Sequence, residues 1–352
     1  IIMFRNPNVL RIILIVLATA FILPLLLPAF KGCSSNSDNT STSSSSTTNN
    51  SAATPPPLEV KMPDFNGDTA YQYVKKQVDF GPRIMGSAAQ KQCAEWLANS
   101  LRKVADTVYV QKTTVTNYAK KQYPCYNVIG AFNPKATKRI AIFSHWDSRP
   151  RADQDTERTA EAILGADDGG SSTGVALELA RILSQQKLQN IGVDIILFDA
   201  EDDGTEGNNE SYCLGSQHWS RNPHIAGYHA DYGILMDMVG AADAIFYKEQ
   251  YSMQYAPQVV QKVWDAARAL GQSSLFPDNI GGGITDDHVF VNTIAHIPTI
   301  DIINFQPDRT GFPTHWHTHK DDMKVISPIT LDNVGSVIAR VLYQEDAMSV
   351  AQ

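Results

Sequence analysis

The chain has 352 residues, 43% of them hydrophobic, and a formal net charge of −8. That is ample apolar material for a sizeable core, and with no basic run outside the N-terminus it excludes nucleic acid as an expected partner, because phosphate binding wants a basic face. The four cysteines, Cys33, Cys93, Cys125 and Cys213, show no CxxC spacing, which excludes zinc-finger and thioredoxin-type motifs.

Arg5 and Arg11 open the chain with positive charge, and an apolar stretch follows from Ile12 to Phe30, broken by Pro24 and Pro28. Residues 1–33 therefore read as an export segment and stand apart from the fold. Cys33, after Gly32, suits lipidation as in a bacterial lipoprotein. The alternative is an uncleaved signal anchor, since about 19 apolar residues just span a bilayer. Either way the protein is expected to be exported and tethered to the periplasmic face of a bacterial membrane. Residues 34–57 are Ser, Thr, Asn and Pro with almost nothing apolar, so a disordered tether is expected. A single domain is expected over residues 58–352, with no internal repeat.

In that domain Asp68 to Phe80 reads as a helix stopped by Gly81-Pro82. Ser87 is a natural N-cap for a second helix to about Val104, with Cys93 buried on it. Thr107 to Asn117 alternates like an edge strand, and Tyr126 to Phe132 and Arg139 to Ser144 are further strands. A Gly/Ser/Thr loop opens an apolar helix from Gly174 to Leu183. Asp194 to Asp199 and Tyr232 to Asp237 read as buried strands. Ala256 to Leu270 reads as a helix, Pro298 to Asn304 as a strand, and Thr330 to Glu345 as the last helix. Trp96 and Trp264 lie on helix stripes and are expected in the core. Strands alternating with helices imply an α/β fold: a mixed, mostly parallel sheet sandwiched between helices, with antiparallel pairing at one edge.

The chemistry-bearing residues follow these strands. His145 and Asp147 come after RIAIFS, the pair Glu201-Asp202 after VDIILFDA, and Asp237 after YGILM. Ligand sites in open α/β sheets form at the carboxyl ends of strands, so these side chains can converge in one crevice. Imidazole and carboxylate together are the ligand set of a catalytic zinc, which keeps one position open. Cys125 and Cys213 are able to pair in an oxidising compartment. The run Asp203 to Glu210 reads as a solvated loop, because its spacing fits no EF-hand.

FSHWDSRP, GADDGGSSTGVALELARIL, FDAED, LMDMVGA, TDDH and WHTHKDD, in that order, resemble the zinc-dependent aminopeptidase-like family. Within it the chain most resembles the glutaminyl-peptide cyclotransferases of animal type and their bacterial relatives, from about Asp68 to Glu345. The resemblance implies a three-layer α/β/α catalytic domain, a monomer, and conversion of N-terminal glutamine to pyroglutamate on peptides and exported proteins. It implies one zinc on Asp168, Asp202 and His317, with Glu201 as general acid/base and Asp237 and Asp286 as further catalytic acids. Trp316 and Phe312 match the aromatic lining of the substrate pocket. His145 and Asp147 match a motif that binds a second metal in two-zinc aminopeptidases and stays metal-free in the cyclases.

Two departures stand out. Asp202 replaces the Glu of the animal enzymes, and residues 203–210 lack their pocket Trp. The alternative reading is a two-zinc aminopeptidase, with Glu201 activating water, His145 and Asp237 on the second metal and Asp168 bridging both. A non-catalytic envelope-binding module is the third. The TDDH and WHTHKDD motifs favour the cyclase.

Overall fold

The computed structural model describes residues 60–309 and 311–349. The expected export segment at 1–33, its Cys33 and all of the 24-residue stretch expected as a tether (residues 34–57) lie outside the described residues. Among the described residues no helix is long and apolar enough to cross a membrane.

Asn66 opens α1 (Gly67–Val78) by accepting from the Thr69 amide, and Ser87 opens α2 (Ala88–Arg102) by accepting from Gln90 N. Such side-chain caps satisfy amides that the first helical turn leaves free. The strands β1 (Thr107–Thr116) and β2 (Gln122–Phe132) form a hairpin, and β3 (Arg139–His145) follows. Next come α3 (Gly170–Gln185), β4 (Gly192–Phe198), α4 (Leu214–Arg221) and β5 (Tyr232–Asp237). The chain then forms α5 (Gln250–Tyr255), α6 (Pro257–Ala269), α7 (Asp287–Phe290), β6 (Thr299–Ile303) and α8 (Pro328–Met348).

The sheet order is β1-β2-β4-β3-β5-β6. The pairings β4–β3, β3–β5 and β5–β6 are parallel; β1–β2 and β2–β4 are antiparallel. This is the expected mixed α/β sheet with its antiparallel edge. Side chains of one strand alternate between two cores. Ile140, Ile142, Ile195, Leu197, Ile234 and Ile300 meet α1, α2, α3, α6 and α8 on one face. Ala141, Phe143, Ile196, Phe198 and Leu235 meet Trp219 of α4 and Val291 on the other. Gly174 lets α1 lie on α3: a Cβ there would stand 2.6 Å from Val74 Cγ2.

Several expectations need correction. Helix α3 starts four residues before Gly174, because Ser171 and Ser172 bond back to the Asp167 and Gly169 carbonyls and so spend their hydroxyls inside the helix. Pairing of Cys125 with Cys213, which the sequence left open, is not formed: Cys93, Cys125 and Cys213 are free and buried. Their sulfurs face different partners: Cys125 the Asn127 and Asp199 oxygens, Cys213 the Glu201 carboxylate. Trp264 is buried as expected, whereas Trp96 is half-buried against Tyr73 and Phe80 at the core margin.

Candidate active site

Because β3, β4, β5 and β6 run parallel, their carboxyl ends open on one edge. His145 ends β3 and Asp237 ends β5. Ala200, with φ of 60°, turns the chain just past β4 and sends Glu201 and Asp202 in different directions. Met238 and His317 also sit at positive φ, 48° and 53°. Left-handed backbone at non-glycine residues costs on the order of 1–3 kcal/mol each, and such strain gathers at functional sites.

Three groups meet within 4.8 Å of one another: Asp168, Asp202 and His317, all buried. His317 Nε2 lies 3.3 Å from Asp202 Oδ1 and 3.6 Å from Asp168 Oδ2. The Oδ2 atoms of Asp168 and Asp202 are buried without a hydrogen-bond partner. Two buried carboxylates, each with an orphaned oxygen and each with one oxygen near an imidazole nitrogen, suit a zinc ion, whose common donors are carboxylate oxygen and histidine nitrogen. Behind the ring, His317 Nδ1 stands 3.4 Å from Asp153, the kind of carboxylate that orients a ligating histidine. Arg149 holds Asp153 and Asp202 together, at 2.5 and 3.1 Å. In this setting burial lowers the His317 imidazole but Asp202 and Asp153 outweigh it and raise it to about 8.

The loops carrying these groups are pinned from behind. Asp321 accepts from the amides of Asp167 and Asp168. Asp147 accepts from the amides of Glu201 and Asp202, at 3.0 and 3.1 Å, rather than pairing with its neighbouring arginines. Buried Arg83 reaches the carbonyls of Trp146, Leu164 and Gly165. Arg83→Leu strands those three acceptors, so unfolding stability should fall by about 3 kcal/mol or more, at 1–3 kcal/mol for each lost partner. A denaturant midpoint within error of the wild type would show that the clamp is not needed.

His145 is fully enclosed. Its Nε2 lies 3.1 Å from Asp168 Oδ1 and 3.1 Å from Asp237 Oδ1, and its Nδ1 3.4 Å from Asp147. Burial lowers this imidazole, but the carboxylates of Asp237, Asp147 and Asp168 outweigh burial and hold it well above its ordinary value. The ring thus ties together the two carboxylates that a second metal would need.

The cleft beside the three-ligand cluster measures about 280 Å³ and is lined by Glu201, Asp237, Asp286, Tyr212, Thr285, Ile303, Phe312 and Trp316, among others. Phe312 and Trp316 stack at 4.1 Å, and Trp316 stacks on His317 at 3.7 Å, making an aromatic wall that runs to the metal cluster. Glu201 opens to the cleft, and Cys213 Sγ lies 3.3 Å from its Oε1. Burial pushes the Glu201 carboxyl well above its ordinary value, and nearby Asp202 and Asp286 add to that. Burial and the Asp237 carboxylate push Asp286 up to about 6. Carboxyls raised toward neutrality are suited to moving protons at neutral pH.

All ten residues singled out from the sequence therefore lie in or directly behind one crevice. Sequence reasoning missed Asp153 behind His317, Tyr212, and the buried Glu249 and Asp301. His288, at the end of the TDDH motif, is fully buried. The spacing of Arg149 and Asp153, four residues apart in SRPRAD, was the available signal for the first of these.

Residues 127–342 match the family model described as Peptidase family M28. Among solved structures, glutaminyl cyclase from Porphyromonas gingivalis is 47% identical, with a TM-score of 0.79, covering 80% of this chain and 99% of that one. A zinc-dependent exopeptidase from Parabacteroides distasonis is 46% identical at a TM-score of 0.78, with the same shares covered. Among curated relatives, the glutaminyl-peptide cyclotransferase of Drosophila melanogaster is 24% identical over 278 residues, 73% of this chain and 75% of its own length.

Proposed function

The chain belongs to peptidase family M28, and we propose that it is a zinc-dependent glutaminyl-peptide cyclotransferase. It converts an N-terminal glutamine to pyroglutamate and releases ammonia. The observation that carries this reading is the cleft itself. Three carboxyls not needed as metal ligands, Glu201, Asp237 and Asp286, surround one ligand cluster, in a chain 47% identical to the Porphyromonas gingivalis glutaminyl cyclase over 99% of that chain.

Asp168, Asp202 and His317 would hold one zinc. When bound, it supplies Lewis-acid polarisation of the glutamine side-chain carbonyl. The residues of this chain do the rest. The Phe312–Trp316 wall packs the glutamine side chain and excludes water beside the cluster. The substrate's α-amine attacks its own side-chain carbonyl carbon, closing a five-membered lactam, so no protein nucleophile is required. Glu201 takes the proton from that amine and delivers it to the departing ammonia. Asp237, tied to His145, and Asp286 face the same space and steer the protons of the tetrahedral intermediate. Asp147 keeps Glu201 and Asp202 in register by binding both amides.

The test is a product mass. A Gln-initiated peptide should lose one ammonia and keep its length. Free amino acids released from Leu- or Ala-initiated peptides would instead establish the aminopeptidase. The likeness to glutaminyl cyclases carries the single-metal reading, so dialysed protein should carry one zinc per chain and His145→Ala should not change that number. His145, Asp168 and Asp237 lie within 4.8 Å of one another, the set that the two-metal alternative would use. Two tightly held zincs, one lost with His145, would overturn the single-metal assignment.

The pH profile follows from the attacking group. An α-amine is nucleophilic only when neutral and titrates at about 7.7–8.0. kcat/KM should therefore rise through that range and be poor in mild acid. A flat profile across it would argue against amine attack.

We propose that the protein is exported and tethered, through a lipid on Cys33 or an uncleaved signal anchor, a reading that the sequence of residues 1–57 supports. Membrane fractionation of wild type and Cys33→Ala separates the two, since only lipidation needs the thiol.

A further inference from the structure

Behind Asp286 lies a second group of buried ionisable side chains that the reaction above does not use. Glu249 caps α5, His288 sits in α7 and Asp301 lies on β6. All three are essentially inaccessible, at 2%, 0% and 1% exposure. One donor atom each from Asp286, His288 and Asp301 lies within 4.8 Å of the other two. His288 Nε2 stands 3.3 Å from Glu249 Oε2, and its Nδ1 3.8 Å from Asp301 Oδ2. The second separation is too long for a hydrogen bond.

The two ends of this group differ. Glu249 is richly served: it accepts from the amides of Tyr251, Ser252 and Ile284 and from Ser252 Oγ. Burial raises its carboxyl, but His288, Ser252 and Tyr251 outweigh burial and hold it at about 2. Ser252 Oγ in turn accepts from the Asp301 amide at 2.9 Å, a second link from Glu249 to Asp301. Asp301 is the opposite case. Neither of its carboxylate oxygens has a donor, and Asp286 Oδ2 has none. Leaving such groups unpaired costs about 1–3 kcal/mol each, and more if they are charged. A proton on one of two neighbouring carboxyls removes the problem, because the acid then donates to the carboxylate. Burial, with nearby carboxylates adding to it, raises both Asp301 and Asp286.

We propose that Glu249, His288 and Asp301 are positioning residues for the cyclisation, an anchored relay that keeps a shared proton between Asp301 and Asp286 and fixes Asp286 toward the substrate. This rests on the cyclase reading of the site. Glu249 fixes the ring of His288, the ring packs against Asp301 and holds it in place, and Asp301 shares its proton with Asp286. The other titratable groups that act on Asp286 are Asp237 of β5, His145 of β3, Glu201 after β4 and Asp287 on its own helix.

The experiment compares wild type with Asp301→Asn, His288→Gln and the double variant. Each should keep one zinc and keep KM within about twofold while kcat falls about tenfold or more, less than the roughly 10²–10⁴-fold expected of the proton-transfer group itself. Because the members act as a unit, the double variant should be no worse than the worse single one. An Asn amide donates to the Asp286 anion and cannot share a proton, so the limb of kcat/KM governed by Asp286 should move to lower pH in Asp301→Asn. The infrared carboxyl-stretch band of the protonated pair should vanish there too. His288→Gln carries the test if Asp301→Asn does not fold. Unchanged kcat with an unshifted profile, or losses that simply add, would overturn the relay. A second zinc in the wild type, absent in Asp301→Asn, would make the cluster a cation site instead. A wild type that does not cyclise Gln-peptides removes the functional reading and the relay with it; a cyclising wild type with unaffected variants removes the relay alone.

Discussion

His317→Ala is expected to abolish both zinc retention and turnover while leaving the fold intact. His317 is the only nitrogen donor of the three-ligand cluster, and its Nε2 faces Asp202 and Asp168 at 3.3 and 3.6 Å. Without it two carboxylates face each other in a buried pocket. Burial and Asp202 already push Asp168 up to about 6, so protonation competes with metal at once. The loss of zinc affinity should exceed the roughly 10- to 100-fold typical of removing a group behind a ligand. Asp153→Asn, which removes only the partner of His317 Nδ1, should fall inside that smaller range. A dialysis series read by elemental analysis, beside far-UV circular dichroism, separates these outcomes. A His317→Ala protein that keeps its zinc would remove His317 from the ligand set.

The strand-end logic made most of this crevice legible. RIAIFS, VDIILFDA and YGILM are apolar on both faces because helices cover both, so the first polar residues after them had to emerge at one edge. Asp168, Asp286 and His317 lie on loops, where periodicity is silent, and only the motif resemblance pointed to them. The short helix α4 was missed because its apolar contact is essentially one residue, Trp219, among polar neighbours. Glu249 and Asp301 were invisible for a different reason. Asp301 sits in TIDII, where alternation reads it as an ordinary strand residue, and Glu249 in YKEQY reads as a solvated charge. Each becomes notable only because tertiary packing buries it beside His288, and no local pattern encodes that. Asp147 shows the same limit: arginines stand close to it in the chain, yet it spends its oxygens on two backbone amides.

Glu201→Gln should separate chemistry from metal binding. Glu201 faces the cleft next to Asp202, which faces the cluster, and the turn at Ala200 is what sends the two side chains apart. Glutamine keeps the size of the side chain and can still hydrogen-bond, but it cannot accept and return a proton. Its backbone amide still meets Asp147 and its carbonyl still accepts from Cys213 N, so the loop should hold its place. Normal folding, normal zinc content and a rate loss of about 10²–10⁴ are expected, the usual scale for a positioned acid/base. KM should change little, since the Phe312–Trp316 wall and the ligand cluster are untouched. The paired readout decides the role. Zinc lost together with activity would make Glu201 a ligand. Near-full activity would transfer proton movement to Asp286 or Asp237, and the relay behind Asp286 would then stand at the centre of the reaction rather than at its edge.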